Sequence, residues 1–229
     1  AVGAALLLHH ERLGKPRQFE MTHAYYGPAY GEQDIGRALC ALGLEARPMA
    51  DEEALLQRAV QALCSGQILA WFQGPMEFGP RALGGRSILG CPSVAGVADR
   101  INAQIKFRER WRPFCPSMLD TVGPQMLGSD HPAPFMTFTF PVVEAWKSRV
   151  PEVVHEDGTS RAQVLRREFN PRYYDLMLEM EKLTGNGVVL NTSLNRRGEP
   201  MICSVNGESV HVGVDLVGCL IMKNVLVTK

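Results

Sequence analysis

Arg81 and Arg86 bracket Ala82–Gly85 inside the run "QGPMEFGPRALGGRSIL", residues 73–89, which follows the apolar stretch Ile68–Phe72. Glycine has no Cβ, so its backbone can approach a ligand closely and turn N–H groups toward it. Arginine's planar fork donates two parallel hydrogen bonds to a phosphate or carboxylate. Glycines and arginines placed after an apolar strand describe an anion-binding loop. Glu77 stands where it could orient an arginine or help hold a metal. A surface loop closed by an ordinary Arg–Glu pair fits the same spacing.

Three further stretches carry polar chemistry. In "IKFRERWRPF", residues 105–114, Lys106, Arg108, Arg110 and Arg112 alternate with Phe107, Glu109 and Trp111. On a helix these cations would point apart; on an extended segment they share a face. The expectation is an extended basic strand beside a nucleotide. A charged edge strand that resists aggregation, or aromatics stacking on nucleic-acid bases, would look alike. "HEDGTSRAQ", residues 155–163, offers His155 as an acid–base group and Arg161 as an anion binder, although a lone histidine is more often structural. "NTSLNRRGEP", residues 191–200, sets Asn191, Thr192, Ser193 and Asn195 at the end of an apolar run. Open α/β sheets bind ligands at such strand ends, and a self-capped turn uses the same residue types.

Periodicity marks out the helices and strands around these residues. Residues 1–13 suit a helix, and 14–33, with Pro16, Gly27, Pro28 and Gly31, read as a linker. Ile35, Leu39 and Leu42 repeat at helical spacing. A second helix starts at an Asp51 cap and shows Leu55, Leu56, Val60 and Leu63 on one face. Residues 94–106 and 171–184 are further helices, the latter with Pro171 near its first turn and Gly185 at its stop. "QILAWF", "PFMTFTFPVV", "SRAQVLRRE", "VVL" and the tail "CLIM…VLV" read as strands. Helices and strands interleave, so the class is α/β with a mixed sheet.

Bulk properties narrow the function. The chain has 229 residues, enough for a domain with a proper core, and 24 basic residues balance 24 acidic ones. That balance argues against a broad nucleic-acid footprint. No apolar run approaches the roughly 20 residues that span a bilayer. The opening "AVGAALLL" lacks a basic n-region and reads as the cut end of a longer chain. The six cysteines show neither C-x-x-C nor zinc spacing, which fits free thiols in a reducing cytoplasm. No H-E-x-x-H, Walker A, G-x-G-x-x-G or G-x-S-x-G context is present.

"WFQGPMEFGPRALGGRSILGCP", "INAQIKFRERWRPFCPSML", "HEDGTSRAQ", "NPRYYDL" and "TGNGVVLNTSLNRRGEPMIC" resemble, in this order, the C-terminal half of the O-carbamoyltransferases, the family of nodulation-factor, cephamycin and aminoglycoside carbamoylating enzymes. Lys106–Arg108 and "TSLNRRGEP" are also similar to the K-x-R and T-S-x-N-x-x-G stretches of the wider YrdC/Sua5 group. The resemblance implies a YrdC/Sua5-like mixed twisted sheet with flanking helices over residues 31–229, preceded over 1–30 by a remnant of a Kae1-like domain and a linker. It implies that this half forms carbamoyl adenylate from carbamoyl phosphate and ATP, with Mg²⁺ brought by the nucleotide phosphates. The Kae1-like half, absent here together with its Fe²⁺ or similar metal, would pass the carbamoyl group to a substrate hydroxyl. Partners are then small molecules and that domain, with a homodimer compatible, no membrane and no nucleic acid, in the cytoplasm. By resemblance, Lys106 and Arg108 serve the nucleotide phosphates, and Arg81 and Arg161 hold carbamoyl phosphate. Arg86, Glu77, His155 and Thr192 line the substrate site. Ser193 and Asn195 bind phosphate oxygens and place Mg²⁺, and Asn191 contacts the adenosine side.

Departures are visible too. Gly74-Pro75-Met76-Glu77 stands where the family has G-R-M-E, "GGRS" where it has G-N-R-S, and Leu194 where Phe is common. Two other readings remain open at this point: threonylcarbamoyl-adenylate synthesis for tRNA modification, and a non-catalytic RNA- or anion-binding module.

Overall fold

In the computed structural model, residues 2–44, 46–49, 51–205, 217 and 219–228 are described. Seven α-helices occur among them: α1 (Val2–Leu7), α2 (Glu32–Ala41), α3 (Glu52–Cys64), α4 (Val97–Ile101), α5 (Gly123–Leu127), α6 (Glu144–Lys147) and α7 (Pro171–Thr184). The longer ones are built as their sequences require. The Asp51 carboxylate accepts from the Ala54 amide at 2.7 Å and starts α3. Asn170 accepts from the Tyr173 amide, Pro171 fills the first turn of α7, and Gly185 ends it in the left-handed region at φ 73°. That conformation is open to glycine without strain.

The strands are β1 (Ala46–Pro48), β2 (Leu69–Phe72), β3 (Arg86–Gly90), β4 (Cys115–Leu119), β5 (Phe140–Pro141), β6 (Thr159–Ser160), β7 (Gln163–Leu165), β8 (Val188–Ser193), β9 (Cys219–Met222) and β10 (Val225–Thr228). Eight of them form one sheet in the order β1-β10-β9-β2-β3-β8-β4-β7. The pairs β2–β9 and β4–β7 are parallel and the rest antiparallel, so the sheet is mixed. α3 packs against β2, α7 against β4 and β8, and the two helices against each other, which puts both on one face. Between them and the sheet lie Leu55, Leu63, Leu89, Leu176 and Val189, all fully buried. The α/β class and the mixed sheet flanked by helices are thus as the sequence indicated.

Four local differences have physical causes. The aromatic run 134–143 forms no long strand; only Phe140–Pro141 pairs, with Thr159–Ser160, in a separate two-stranded sheet. Met136 takes the left-handed region at φ 53° and breaks the extended path. The basic stretch 105–112 is not extended either. α4 continues as a π-helical turn, Asn102–Lys106, and Phe107 reverses the chain at φ 46°. Conversely, Cys115–Leu119 is an interior strand that periodicity missed, because all five residues are buried and nothing alternates. Finally, β8 runs on past "VVL" through Ser193, so three of the expected loop residues are strand residues.

Residues 14–31 have no regular structure but are stitched to the glycine-rich loop. Gly27 N–H donates to Met76 O, Met76 N–H to Pro28 O and Phe78 N–H to Ala24 O. Ala24 is buried with Leu83, Cys115 and Met136.

Candidate active site

The loop 73–86 folds around an anion of its own. One Glu77 oxygen accepts from the amides of Leu83 at 2.6 Å and Gly85 at 2.7 Å, and more loosely from Arg86. Backbone donors that glycine freed for a ligand therefore face an internal carboxylate. Gly85 is needed for this, since a Cβ there would stand 2.9 Å from the other Glu77 oxygen and from the Pro75 carbonyl. Gly84, at φ +102°, lies so close to the Tyr173 ring that a Cβ would fall 2.1 Å from it.

Arg86 is fully buried beneath the same loop. Its guanidinium lies 3.6 Å over the Phe72 ring and donates to the carbonyls of Gln73, Gly74, Gly85 and Pro28. Burial lowers its pKa to about 10, with Glu77's charge opposing, so it stays charged at neutral pH. Glu77 and Arg86 thus shape the loop from inside rather than face a ligand. Arg81, at the exposed tip, is the loop's outward cation.

Arg81 meets residues from three other segments. A polar cleft of about 120 Å³ is walled by Arg81, Arg108, Arg161, Asn191, Thr192 and Ser193, among others. Those residues come from the loop, the turn after Lys106, the approach to β7 and the end of β8. The cleft shares Arg81 and Arg161 with a larger, apolar hollow of about 360 Å³ that includes Met21, Phe78 and Phe135. Arg161 points Nε and a terminal nitrogen at Cys115 Sγ, at 3.3 and 3.1 Å. Arg108 donates to Asn102 Oδ1 at 2.6 Å and stacks over Phe114. Asn191 donates through Nδ2 to Ala82 O and Ser117 Oγ, both at 3.0 Å.

Lys106 sits behind this wall and ties it together. Its Nζ reaches the carbonyls of Ser193 at 2.5 Å and Asn195 at 3.2 Å, and the side chains of Asn195 at 2.8 Å and Ser193 at 3.3 Å. Burial, and Arg108 after it, pushes the ammonium down to about 7. The oxygens around it pull the other way. Asn195 is further fixed by donating to Glu199 O at 2.6 Å.

His155 is not among the cleft-lining residues. Nδ1 meets Thr159 Oγ1 at 3.2 Å, Nε2 is buried without a partner, and burial depresses the imidazole pKa, which keeps the ring neutral. Two supporting residues were not singled out from the sequence: Ser117 and Gln163, both buried, which join hydroxyl to amide at 2.6 Å behind Asn191. Both stand inside the quoted stretches, yet a buried Ser or Gln has no spacing signature. Among the described residues no three His, Cys, Asp or Glu side chains gather as a metal site. The cleft's arginines and neutral donors suit Mg²⁺ only as an ion carried by a ligand's own phosphates.

A family model described as carbamoyltransferase C-terminus matches residues 60–229, which include every polar residue named in the cleft. The chain belongs to the carbamoyltransferase C-terminal family. It is 37% identical over 238 aligned residues to nodulation protein NolNO of Sinorhizobium fredii, covering 100% of this chain and 34% of that relative. It is 36% identical to nodulation protein NolO of Bradyrhizobium diazoefficiens, over 90% of this chain and 38% of the relative. An uncharacterized Synechocystis protein is 36% identical over 89% of this chain and 37% of its own length. This carbamoyltransferase C-terminal chain therefore spans only about a third of these curated relatives. Full-length HypF, solved in a phosphate- and nucleotide-bound form, overlaps 76% of this chain and 21% of its own, at 13% identity and a TM-score of 0.49. That overlap is too loose to bear on the fold.

Proposed function

We propose that this chain is the adenylate-forming part of an ATP-dependent O-carbamoyltransferase. Carbamoyl phosphate is hydrolysed to carbamate and phosphate. A carbamate oxygen then attacks the α-phosphorus of ATP, pyrophosphate leaves, and carbamoyl adenylate results. A Kae1-like portion of the longer protein passes the carbamoyl group to a substrate hydroxyl. Metabolites of this kind place the chemistry in the cytoplasm.

One observation carries the reading: three arginines from separate parts of the chain and the donors of β8 wall a single polar cleft, with Lys106 behind it. Two polyanions brought within 4 Å repel by about 4 kcal/mol per charge pair at a protein-like dielectric. A site that holds both must supply fixed positive charge where the transferring group passes. Arg81 and Arg161 suit the carbamoyl phosphate end. Arg108 and Lys106 suit the nucleotide phosphates; Thr192 lines the cleft beside Arg108, while Ser193 and Asn195, bonded to each other, hold the Lys106 ammonium in place. Mg²⁺ supplies charge neutralisation on the pyrophosphate. His155, neutral and set beside Phe114 and Arg161 without itself lining the cleft, serves the loop that carries Arg161 rather than proton transfer.

The test is ATP–pyrophosphate exchange dependent on carbamoyl phosphate. Arg108→Ala and Lys106→Ala are expected to abolish it while the fold survives; near-normal exchange in both would overturn the assignment. Exchange supported by threonine and bicarbonate instead would mark a threonylcarbamoyl-adenylate synthase. A second reading has one observation in its favour: Phe107 and Trp111 are 56% and 69% exposed beside Arg110 and Arg112, a surface that could stack on bases. Steeply salt-dependent RNA binding without ATP turnover would select it.

A further inference from the structure

The cleft's charged groups are all donors, the guanidinium groups of Arg81, Arg108 and Arg161. Ser193 spends its hydroxyl proton on Asn195 Oδ1 at 2.6 Å. Asn191 adds an acceptor with no donor of its own. It is 2% exposed, it lines the cleft, and its Oδ1 has no partner. Which way its amide is turned follows from the groups behind it. A carbonyl oxygen can only accept, so the Leu83 carbonyl, 3.0 Å away, fixes the Gln163 nitrogen on its side. Gln163 Oε1 then faces Ser117, whose hydroxyl donates to it at 2.6 Å. With its proton used there, Ser117 Oγ accepts from Asn191 Nδ2, and the Ala82 carbonyl accepts the second proton of the same nitrogen. Both Asn191 protons are taken. Oδ1 is left as an acceptor locked in place by a chain that runs back to the main chain at Leu83.

A buried acceptor without a donor is costly, and a ligand that brings the missing donor recovers that cost. Of the small acyl phosphates, the carbamoyl compound carries an NH₂ group; the acetyl compound presents a methyl of similar size, and a carboxyl-type acid presents oxygen. We infer that Asn191 Oδ1 accepts a hydrogen bond from the carbamoyl NH₂ group and makes this cleft select an amide-bearing acyl phosphate over its acetyl and carboxyl counterparts. This rests on the carbamoyl phosphate reading above and replaces the adenosine contact that resemblance gave Asn191. Gln163 and Ser117 are positioning residues for it.

Binding of freshly dissolved carbamoyl phosphate, acetyl phosphate and inorganic phosphate is measured by calorimetry on the protein and two variants. The wild-type protein is expected to bind carbamoyl phosphate about tenfold or more tighter than acetyl phosphate. Asn191→Leu, which has no acceptor, is expected to bring the two within about threefold, with inorganic phosphate binding and the melting curve confirming an intact cleft. Asn191→Asp keeps an acceptor and adds charge; it is expected to weaken all three anions while preserving the carbamoyl-to-acetyl ratio, and it serves alone if the leucine variant does not fold. An unchanged ratio in Asn191→Leu, or a lost ratio in Asn191→Asp, overturns the amide contact and leaves the carbamoyl phosphate reading standing. A wild-type protein that binds inorganic phosphate but not carbamoyl phosphate overturns both.

Discussion

Arg81 and Arg86 stand five positions apart in one loop, and the structure gives them opposite surroundings. Arg86 holds four backbone carbonyls from inside; Arg81 is exposed at the cleft. Arg86→Met removes the donor from all of those carbonyls and leaves the Glu77 charge buried without its neighbour. Breaking a buried charged contact costs about 3–5 kcal/mol, so the variant is expected to unfold near or below the temperatures at which the parent is stable. Arg81→Ala touches nothing buried and should leave the melting temperature within a degree or two while abolishing exchange; a large stability loss there would show that Arg81 is structural. Lys106 adds a pH signature. In the free protein its pKa is lowered to about 7, so above that pH it is largely neutral. A bound polyanion favours the charged form, and binding must then draw in a proton. Affinity for ATP is expected to fall as pH rises above about 7, with uptake of up to one proton at pH 8 read from calorimetry in two buffers of different ionisation heat. Lys106→Met should show no such uptake.

At the scale of elements, the outline of the fold was open to periodicity, and the parts that were not share a cause. α3 and α7 announced themselves through Asp51, Pro171, Gly185 and an apolar stripe. β4 did not, because a strand buried on both faces has no alternation and Pro116 reads as a breaker. The basic run misled in the other direction: alternation of charge and aromatics over 106–112 is strand-like, yet continuity from α4 and the reversal at Phe107 decide its path. The cleft residues were legible as types, since arginines and short polar residues at strand ends carry their own chemistry. Their supports were not, because Ser117, Gln163 and the inward turn of Arg86 depend on contacts across the sheet that spacing cannot encode. The glycine-rich loop shows the difference in a testable form. Gly84 combines φ +102° with the Tyr173 ring against its backbone, so Gly84→Ala meets both strain and a clash. A loss of about 3 kcal/mol or more in denaturant unfolding is expected, and with it the loss of exchange. A variant as stable as the parent would mean that α7 does not brace the loop.

At the scale of the molecule, the cleft draws on residues 81, 108, 161 and 191–193, which only the assembled fold brings together. No fragment of the chain carries a partial version of it, and the unfolded chain has no equivalent. Anything that binds the cleft therefore stabilises the whole protein by mass action, about 2.7 kcal/mol at a concentration one hundred times Kd. For a chain of 229 residues that corresponds to an upward shift in melting temperature of roughly 5–10 °C. The neutral overall charge sharpens the experiment, because a general polyanion effect has no basic surface field to work through. The shift should appear with ATP and carbamoyl phosphate at physiological salt and disappear in Arg161→Ala, whose guanidinium belongs to the cleft. An equal shift from unstructured RNA, or one that survives Arg161→Ala, would move the functional surface from the cleft to the exposed aromatics at Phe107 and Trp111.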